Sequence, residues 1–159
     1  MISKNVRIKI RKMKISDLPS IQKIIQRTLS IVDAKKAKKD MADQSNNLYA
    51  DGENYIAEIN KSVVGVIGYW KLGHHAKKAI WLDWFAVDKN YQNKGIGSKL
   101  FLYLITQIKK RGYEMLCIEK SSKDISAQFF YNKHGFVEFG RIGNYWEDSG
   151  DLVLLVKHL

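Results

Sequence analysis

Cysteine and proline are almost absent from this chain of 159 residues, which contains one of each. The single cysteine, Cys117, excludes an internal disulfide, and its place in an apolar run predicts a buried, unreactive thiol. With one proline, Pro19, and neither repeats nor low-complexity tracts, no linker divides the sequence. We therefore predict a single domain over residues 1–159.

Long apolar runs and acidic residues are also scarce. No run approaches the roughly 20 residues of a membrane helix, and residues 1–9 lack the apolar core of a signal peptide, so we expect a cytoplasmic protein without membrane contact. Lys and Arg outnumber Asp and Glu by 27 to 16, which gives a net charge of +11. The densest basic cluster, residues 35–39, fits a solvated helix face. The alternative is a dock for an acidic protein partner; nucleic acid is not the expected partner.

Residues 82–100 carry the most information. They predict a buried strand, a short polar loop, and then Gln92-x-x-Gly95-x-Gly97 at the start of an amphipathic helix. The first amides of a helix have no internal partners, and the helix dipole adds roughly half a positive charge there. Without Cβ atoms at Gly95 and Gly97, a pyrophosphate can approach the backbone closely. No Gly-Lys-Ser/Thr follows, which excludes a Walker loop, and the missing third glycine excludes a dinucleotide fingerprint.

Hydrophobic periodicity predicts the element order β-α-α-β-β-β-α-β-α-β-β. A helix capped by Ser16 and a second helix over 33–45 follow the first strand. Within the strand 79–87, strict alternation puts one set of side chains on one face and a second set on the other. The first set is Trp81, Asp83, Phe85 and Val87, and the second is Ile80, Leu82, Trp84 and Ala86.

A second motif, Ala127-x-x-Phe130-Tyr131-x-x-x-Gly135-Phe136, follows the glycine loop by about thirty residues. In this order, with strands between them, the two segments resemble motifs A and B of the GCN5-related N-acetyltransferase (GNAT) superfamily over nearly the whole chain. The resemblance implies an α/β (α+β) acyl-CoA acyltransferase fold, with a mixed, mostly antiparallel sheet flanked by helices. It also implies transfer of an acetyl group from acetyl-CoA to a primary amine, either a protein N-terminus or lysine or a polyamine-like small molecule.

The same resemblance assigns the cofactor site. Backbone amides of the glycine loop would hold the pyrophosphate, and the end of the preceding strand would pair with pantetheine. The implied binding positions are Phe85, Ala86, Val87, Gln92, Asn93, Lys94, Gly95, Ile96, Gly97 and Ser98. Tyr131 matches the family tyrosine that protonates the thiolate of CoA; the alternative is an aromatic anchor of its helix.

Asp83 is the candidate base, because an acid in an aromatic strand has its pKa raised by burial. Residues 82–87 also resemble polyamine acetyltransferases, which carry an acid at this place. The alternative is a structural aspartate, and some family members place a glutamate two residues earlier, where this chain has Trp81. Asp124 stands where the family often has asparagine, and we expect it to cap the following helix.

The loop 142–151 is the candidate acceptor site, since it resembles a segment near the end of many family members. Tyr145, Trp146 and Glu147 suit a cationic amine by cation–π and charge attraction, and the alternative is a turn whose aromatics complete the core. His74 and His75 lack acidic or cysteine neighbours at ligand spacing, so we expect no metal. Exposed strand edges allow a homodimer. The alternative function is a catalytically inactive CoA-binding or polyanion-docking module of the same fold.

Overall fold

The computed structural model describes residues 7–46, 52–71 and 78–159. In these residues, seven strands form one sheet in the order β1-β2-β3-β4-β5-β7-β6, mostly antiparallel with one parallel pair, β4 and β5. The strands are β1 (Ile8–Lys12), β2 (Gly52–Ile59), β3 (Ser62–Trp70), β4 (Ala79–Val87), β5 (Met115–Ser121), β6 (Val137–Ile142) and β7 (Leu152–His158). The helices are α1 (Leu18–Thr28), α2 (Ile31–Ser45), α3 (Ile96–Lys110) and α4 (Ile125–Lys133). The predicted fold and element order are confirmed.

Helices cover both faces of the sheet. Alternate residues of β2 belong to different apolar clusters: Ile56 packs with α1 and α2, whereas Tyr55 and Ala57 pack with α3. The core of the α3 side includes Leu100, Phe101, Leu104 and Ile108, each at most 1% exposed. Burial of these apolar side chains is the main driving force that packs the helices against the sheet.

The start of α1 differs from the prediction. Ser16 lies in a 3-10 turn, Ile15–Asp17, and Asp17 occupies the N-cap position of α1. The Asp17 carboxylate accepts the Lys14 backbone N–H at 2.8 Å and two N–H groups of Arg11 at 2.7 and 2.9 Å. Asp17 rather than Ser16 therefore stabilises the start of α1, because a carboxylate can accept hydrogen bonds from a backbone N–H and a guanidinium together.

Helix α2 also begins earlier than predicted. Ser30 is its N-cap, and the Ser30 hydroxyl accepts the backbone N–H of Asp33 at 3.0 Å. This bond satisfies one of the donors that a helix start leaves open, so the helix includes Ile31 and Val32. The basic cluster 35–39 presents four exposed lysines on this helix, as a solvated face requires.

A bulge in β4 overturns the predicted alternation of its side chains. Ile67 of β3 lies opposite Phe85, but Tyr69 lies opposite Leu82, so Gly68 alone spans two residues of β4. The extra residue shifts the phase of the alternation. Asp83 and Trp84 both turn towards α2, where they bond Gln44 and Asp40, whereas Phe85 and Val87 pack with the α3 cluster. The prediction that Asp83 shares a face with Phe85 and Val87 is therefore wrong.

Strands β4 and β5 separate part-way along their length. They pair only from Ala79 with Met115 to Trp81 with Cys117, after which β5 continues to Ser121 alongside β7 alone. Strand β4 thus splays away from β5, and a gap opens in the sheet beside residues 82–87. Cys117 is 8% exposed at the edge of this gap, and burial raises the pKa of its thiol, which disfavours the reactive thiolate.

Two absences hold for the described part of the chain. None of its helices has both the length and the apolar character to cross a membrane. In these residues no three His, Cys, Asp or Glu side chains are grouped so that they could hold a metal ion. His74 and His75, which the sequence raised as loop histidines, lie outside the described residues.

Candidate active site

The glycine loop forms an open helix start at the end of β4. Asn93 and Gly95 adopt left-handed backbone conformations, with φ of 57° and 77°, and Gly95 is the N-cap of α3. No side chain of the described residues caps this helix, so its first amides face the loop. Ile96 is 1% exposed in the core and fixes the helix start against the sheet.

The loop borders a cavity of about 550 Å³, which we call the loop cavity. It is lined on the β4 and loop side by Phe85, Ala86, Val87, Gln92, Asn93, Gly95, Gly97 and Ser98, and on the α4 side by Asp124, Ser126, Ala127, Phe130, Tyr131 and Lys133, with Thr28 and Leu29 at one end. Eight of the ten predicted binding positions thus meet in one cavity. Ile96 faces the core instead, and Lys94 donates to the Asn90 carbonyl at 2.7 Å.

The loop cavity fits a pyrophosphate. A Cβ at Gly95 would meet nothing within 4 Å, and one at Gly97 would approach the Phe85 ring at 3.5 Å, so both glycines leave the amides accessible from the cavity. Gln92 holds the loop by donating from Nε2 to the Val87 carbonyl at 2.9 Å. Amides at an open helix end attract an anion without any basic side chain.

Histidine 134 is a neighbour of this loop that sequence reasoning missed. His134 Nε2 lies 3.4 Å from the Ser98 hydroxyl, and its ring packs against Phe101 and Phe130 with centroid distances of 4.6 and 4.4 Å. Burial, with the charges of Lys133 and Lys157, lowers the pKa of His134. A neutral ring is therefore favoured in this aromatic contact.

A second cavity of about 560 Å³ lies on the α2 side, and we call it the acidic cavity. Five of its lining residues also line the loop cavity: Leu29, Phe85, Asp124, Ala127 and Tyr131. The two cavities therefore meet where β4 and β5 separate, with Tyr131 on the wall that both share.

Tyr131 is buried with its phenol protonated. It is 7% exposed on α4, with its ring 5.5 Å from Phe130 and 5.3 Å from Phe136 between centroids. Burial raises the pKa of Tyr131, and the nearby charge of Asp124 raises it further, so the phenol keeps its proton at neutral pH. Asp124 caps α4 as predicted, accepting the Ala127 N–H at 3.0 Å.

Asp83 lines the acidic cavity from β4 and accepts a hydrogen bond from Gln44 Nε2 at 2.9 Å. Burial raises the pKa of Asp83 to about 6, while the Gln44 bond acts in the opposite direction. At neutral pH such a carboxylate is mostly ionised, yet it is more basic than an exposed aspartate.

The charges around the acidic cavity are mainly negative. Among the described residues that line it, the five carboxylates of Asp40, Asp43, Asp83, Glu119 and Asp124 outnumber two lysines, Lys36 and Lys120. Lys120 is 7% exposed and donates to the Ser121 carbonyl at 2.6 Å, and burial lowers the pKa of its amine. Trp70 and Trp84 add aromatic walls, and Trp84 is oriented by a bond from Nε1 to Asp40 at 3.3 Å. In a chain of net charge +11, the described lining of this cavity has a local excess of negative charge, which favours cations over anions.

The predicted acceptor loop lies elsewhere. Tyr145 and Trp146 are 53% and 37% exposed and pack edge to face on each other at 5.0 Å. Neither they nor Glu147 belong to the described residues that line the two cavities. The loop instead contacts the β5–α4 connection, where Ser122 donates its N–H to the Asp151 carbonyl at 2.9 Å. Among the described residues, the charged groups that line the acidic cavity with Tyr131 come instead from α2, β4, β5 and the N-cap of α4.

Comparisons with known proteins agree with this geometry. Residues 18–136 match the model of the Acetyltransferase (GNAT) family. The "Probable N-acetyltransferase camello" of Xenopus tropicalis is 30% identical over 102 residues, which cover 62% of this chain and 46% of that protein. The [ribosomal protein bS18]-alanine N-acetyltransferase of Escherichia coli K12 is 36% identical over 61 residues, or 38% of this chain and 41% of that protein. The matches thus span less than half the length of these two relatives.

Two solved structures show the same fold. The ribosomal-protein-S18-alanine N-acetyltransferase from Escherichia coli superposes with a TM-score of 0.79 at 23% identity, covering 96% of this chain and 94% of that one. A chain of the NatC complex bound to Gag peptide and CoA has a TM-score of 0.77 at 23% identity, covering 96% and 99%.

Proposed function

Because the chain belongs to the acetyltransferase (GNAT) family, we propose that it transfers an acetyl group from acetyl-CoA to a primary amine on a cationic acceptor. The observation that carries the proposal is the meeting of the loop cavity and the acidic cavity at Tyr131. A donor in one cavity and an acceptor in the other would bring their reacting atoms to the same wall, as direct transfer requires.

The loop cavity is the proposed site of acetyl-CoA, which supplies the acetyl thioester. The amides of residues 92–98 bind its pyrophosphate, and the edge of β4 at Phe85, Ala86 and Val87 is free of β5, so its backbone can pair with pantetheine. The NatC complex, one chain of which has a similar fold, was solved bound to Gag peptide and CoA, which supports this assignment.

Asp83 and Tyr131 divide the proton transfers between them. Asp83, on the side of the acceptor, takes a proton from the ammonium so that the amine lone pair can attack the thioester carbonyl. Tyr131, on the shared wall, gives its proton to the departing sulfur as the carbon–sulfur bond breaks, and the second proton that the nitrogen loses as the amide forms returns to the Tyr131 oxygen. Each group is in the protonation state its role needs at pH 7, because Asp83 is mostly ionised and Tyr131 is protonated.

The acidic cavity selects the acceptor. Asp40, Asp43 and Glu119 also line this cavity and would hold further positive charge on the same molecule. Linear diamines and polyamines meet this requirement, and so do peptides whose free N-terminus precedes basic residues. The peptide class is included because the Escherichia coli relative is named for a ribosomal protein alanine.

A thiol-release assay with acetyl-CoA tests this function directly. The acceptors are propylamine, 1,4-diaminobutane, spermidine, and peptides with a free N-terminus or an internal lysine, each in a neutral and a basic version. We expect kcat/KM to be at least about tenfold higher for acceptors with a second positive charge than for their neutral counterparts. Asp43→Asn should reduce this preference, whereas Asp33→Asn, on the same helix outside the acidic cavity, should not.

Two outcomes would reject the proposal. Binding of CoA with no turnover on any amine would favour a catalytically inactive CoA-binding module. Absence of CoA binding would remove the role of the loop cavity, and salt-sensitive capture of an acidic protein by the lysines of 35–39 would then favour a docking module.

A further inference from the structure

Two side chains that sequence reasoning did not single out form a hydrogen-bonded chain that ends at Asp83. Asn54 of β2 donates from Nδ2 to Oε1 of Gln44 at 2.6 Å. Gln44, in the last turn of α2, donates from Nε2 to Oδ2 of Asp83 at 2.9 Å. The chain thus links three elements, and its end lies in the wall of the acidic cavity.

The burial of the Asn54 side chain is energetically unfavourable. It is 4% exposed, and its Oδ1 is the one buried side-chain oxygen or nitrogen of the described residues that has no hydrogen-bond partner. An unpaired buried acceptor costs on the order of 1–3 kcal/mol, which an apolar residue of similar size would avoid. The Asn54 side chain makes one hydrogen bond, to Gln44. We therefore infer that Asn54 acts by orienting Gln44.

The bulge in β4 builds this arrangement. Gly68 stands opposite Asn54 in β2 and spans the bulge in β4, so the same residue faces both ends of the chain. A Cβ on Gly68 would lie 2.0 Å from Asn54 Oδ1, so only glycine leaves room for the buried amide. The bulge that turns Asp83 towards α2 also brings it within reach of Gln44.

The direction of the hydrogen bonds determines which end of the Gln44 amide faces Asp83. A glutamine amide has one acceptor end and one donor end, and Asn54 occupies the acceptor end with an N–H. Only the N–H end of Gln44 can then face Asp83. A donated N–H stabilises a carboxylate and not a protonated acid oriented the same way.

We propose that Gln44 and Asn54 are positioning residues that hold Asp83 as an oriented carboxylate facing the acidic cavity. The proposal rests on the proposed function, in which Asp83 is the base. Without the pair, burial would favour the protonated acid, and the side chain would be free to rotate away from the acceptor. The charged and titratable groups that line the acidic cavity with Asp83 are Lys36, Asp40 and Asp43 from α2, Glu119 and Lys120 from β5, Asp124 at the N-cap of α4 and Tyr131 from α4.

Carbon-13 NMR titration of the Asp83 carboxyl group tests the proposal without any acceptor. Asp83→Asn assigns the signal, and the titration is repeated in Gln44→Met, Asn54→Leu and the control Gln26→Met. Methionine keeps the length of glutamine but donates no hydrogen bond, so Gln44→Met should raise the pKa of Asp83 by roughly 1 unit. Asn54→Leu should raise it less, because Gln44 remains but can turn its oxygen to Asp83. Gln26→Met, at an exposed position of α1, should leave it unchanged.

An unchanged Asp83 titration in folded Gln44→Met overturns the proposal. With the acceptor found by thiol release, the same variant should also move the acidic limb of the kcat/KM profile to higher pH and leave the Kd for CoA unaltered. Failure of the proposed function is a separate result: Asp83→Asn with full kcat would reject the base role, whatever the titration shows for Gln44→Met.

Discussion

Asp83 and Phe85 lie two residues apart on one strand, yet they face opposite sides of the sheet. Asp83 bonds Gln44 of α2, whereas the Phe85 ring packs edge to face on Phe130 of α4 at 5.3 Å between centroids. The bulge between them separates the candidate base from the wall of the loop cavity. Both residues still line the acidic cavity, because the gap between β4 and β5 joins the two sides.

Two substitutions at Gly97 should affect helix stability and cofactor binding separately. A Cβ there makes ordinary contact with Phe85 at 3.5 Å, and glycine is a poor helix former, so Gly97→Ala should stabilise the fold by up to about 1 kcal/mol. Gly97→Glu should abolish CoA binding, because its carboxylate would enter the loop cavity and repel the pyrophosphate. Urea unfolding and CoA calorimetry measure the two effects, and CoA binding by Gly97→Glu would exclude this loop as the pyrophosphate site.

Gly95 and Gly112 form a matched pair. Their φ angles are +77° and +80°, and a Cβ at either would meet nothing within 4 Å. Alanine at either position should lower the free energy of unfolding by about 1 kcal/mol, because only the left-handed backbone is unfavourable. Only Gly95→Ala should also weaken CoA binding, since Gly112 follows the far end of α3. Equal effects of both variants on CoA affinity would contradict the site.

The stability of the chain should depend on pH through Asp83. Burial raises the folded-state pKa of Asp83 to about 6, above the ordinary 3.8. The contribution of this group to the free energy of unfolding is therefore fully present below pH 4 and is lost as the pH rises through 6. Asp83→Asn removes this dependence. Relative to the parent, the variant should gain up to about 3 kcal/mol of unfolding free energy between pH 4 and pH 8. Parallel urea-unfolding stabilities over this range would show that Asp83 is not buried as a raised-pKa acid.

Arg11 joins the start of α1 to the sheet. It bonds Asp17, and also Glu58 of β2 at 3.0 and 3.2 Å, and this pairing lowers the pKa of Asp17. Arg11→Leu would leave the buried Asp17 carboxylate without its cation and should cost about 2 kcal/mol at pH 7. A lowered carboxylate pKa contributes stability above pH 4 that is lost on acidification, so the difference between variant and parent should shrink below pH 4.

Arg141 provides the control for this prediction. It makes equally close pairs with Glu138 and Asp151, at 2.8 Å each, but all three groups are at the surface. Arg141→Leu should leave the midpoint of urea unfolding nearly unchanged, because exposed ion pairs contribute little. A larger loss for Arg141→Leu than for Arg11→Leu would contradict the assignment of Asp17 as the residue that secures α1.

Regular elements and motifs could be predicted from the sequence, because they depend on local spacing. The periodicity of Leu100, Phe101 and Leu104 predicted α3, and the spacing of Gly95 and Gly97 predicted a helix start, which the structure shows without a side-chain cap in the described residues. Tyr131 was found by its place in the second motif, and the structure puts it on the wall between the cavities.

Non-local features could not be predicted in this way. The bulge opposite Gly68 is a property of the β3–β4 pair, and strict alternation along β4 alone misplaces Phe85. Gln44 and Asn54 carry no motif, and their link to Asp83 appears only once α2 packs beside β2 and β4. The sequence of the loop predicted that Tyr145 and Trp146 bind the acceptor. In the described residues, neither side chain lines the loop cavity or the acidic cavity.

The most direct test of the account is the turnover of Tyr131→Phe. Phenylalanine keeps the ring contacts with Phe130 and Phe136 and removes only the proton donor. With acetyl-CoA and the best acceptor, kcat should fall by roughly 10²-fold, while the Kd for CoA stays unchanged. Tyr103→Phe, which does not line either cavity in the described residues, should keep full activity. An unchanged kcat for Tyr131→Phe would contradict the claim that the two cavities meet at the proton donor of the reaction.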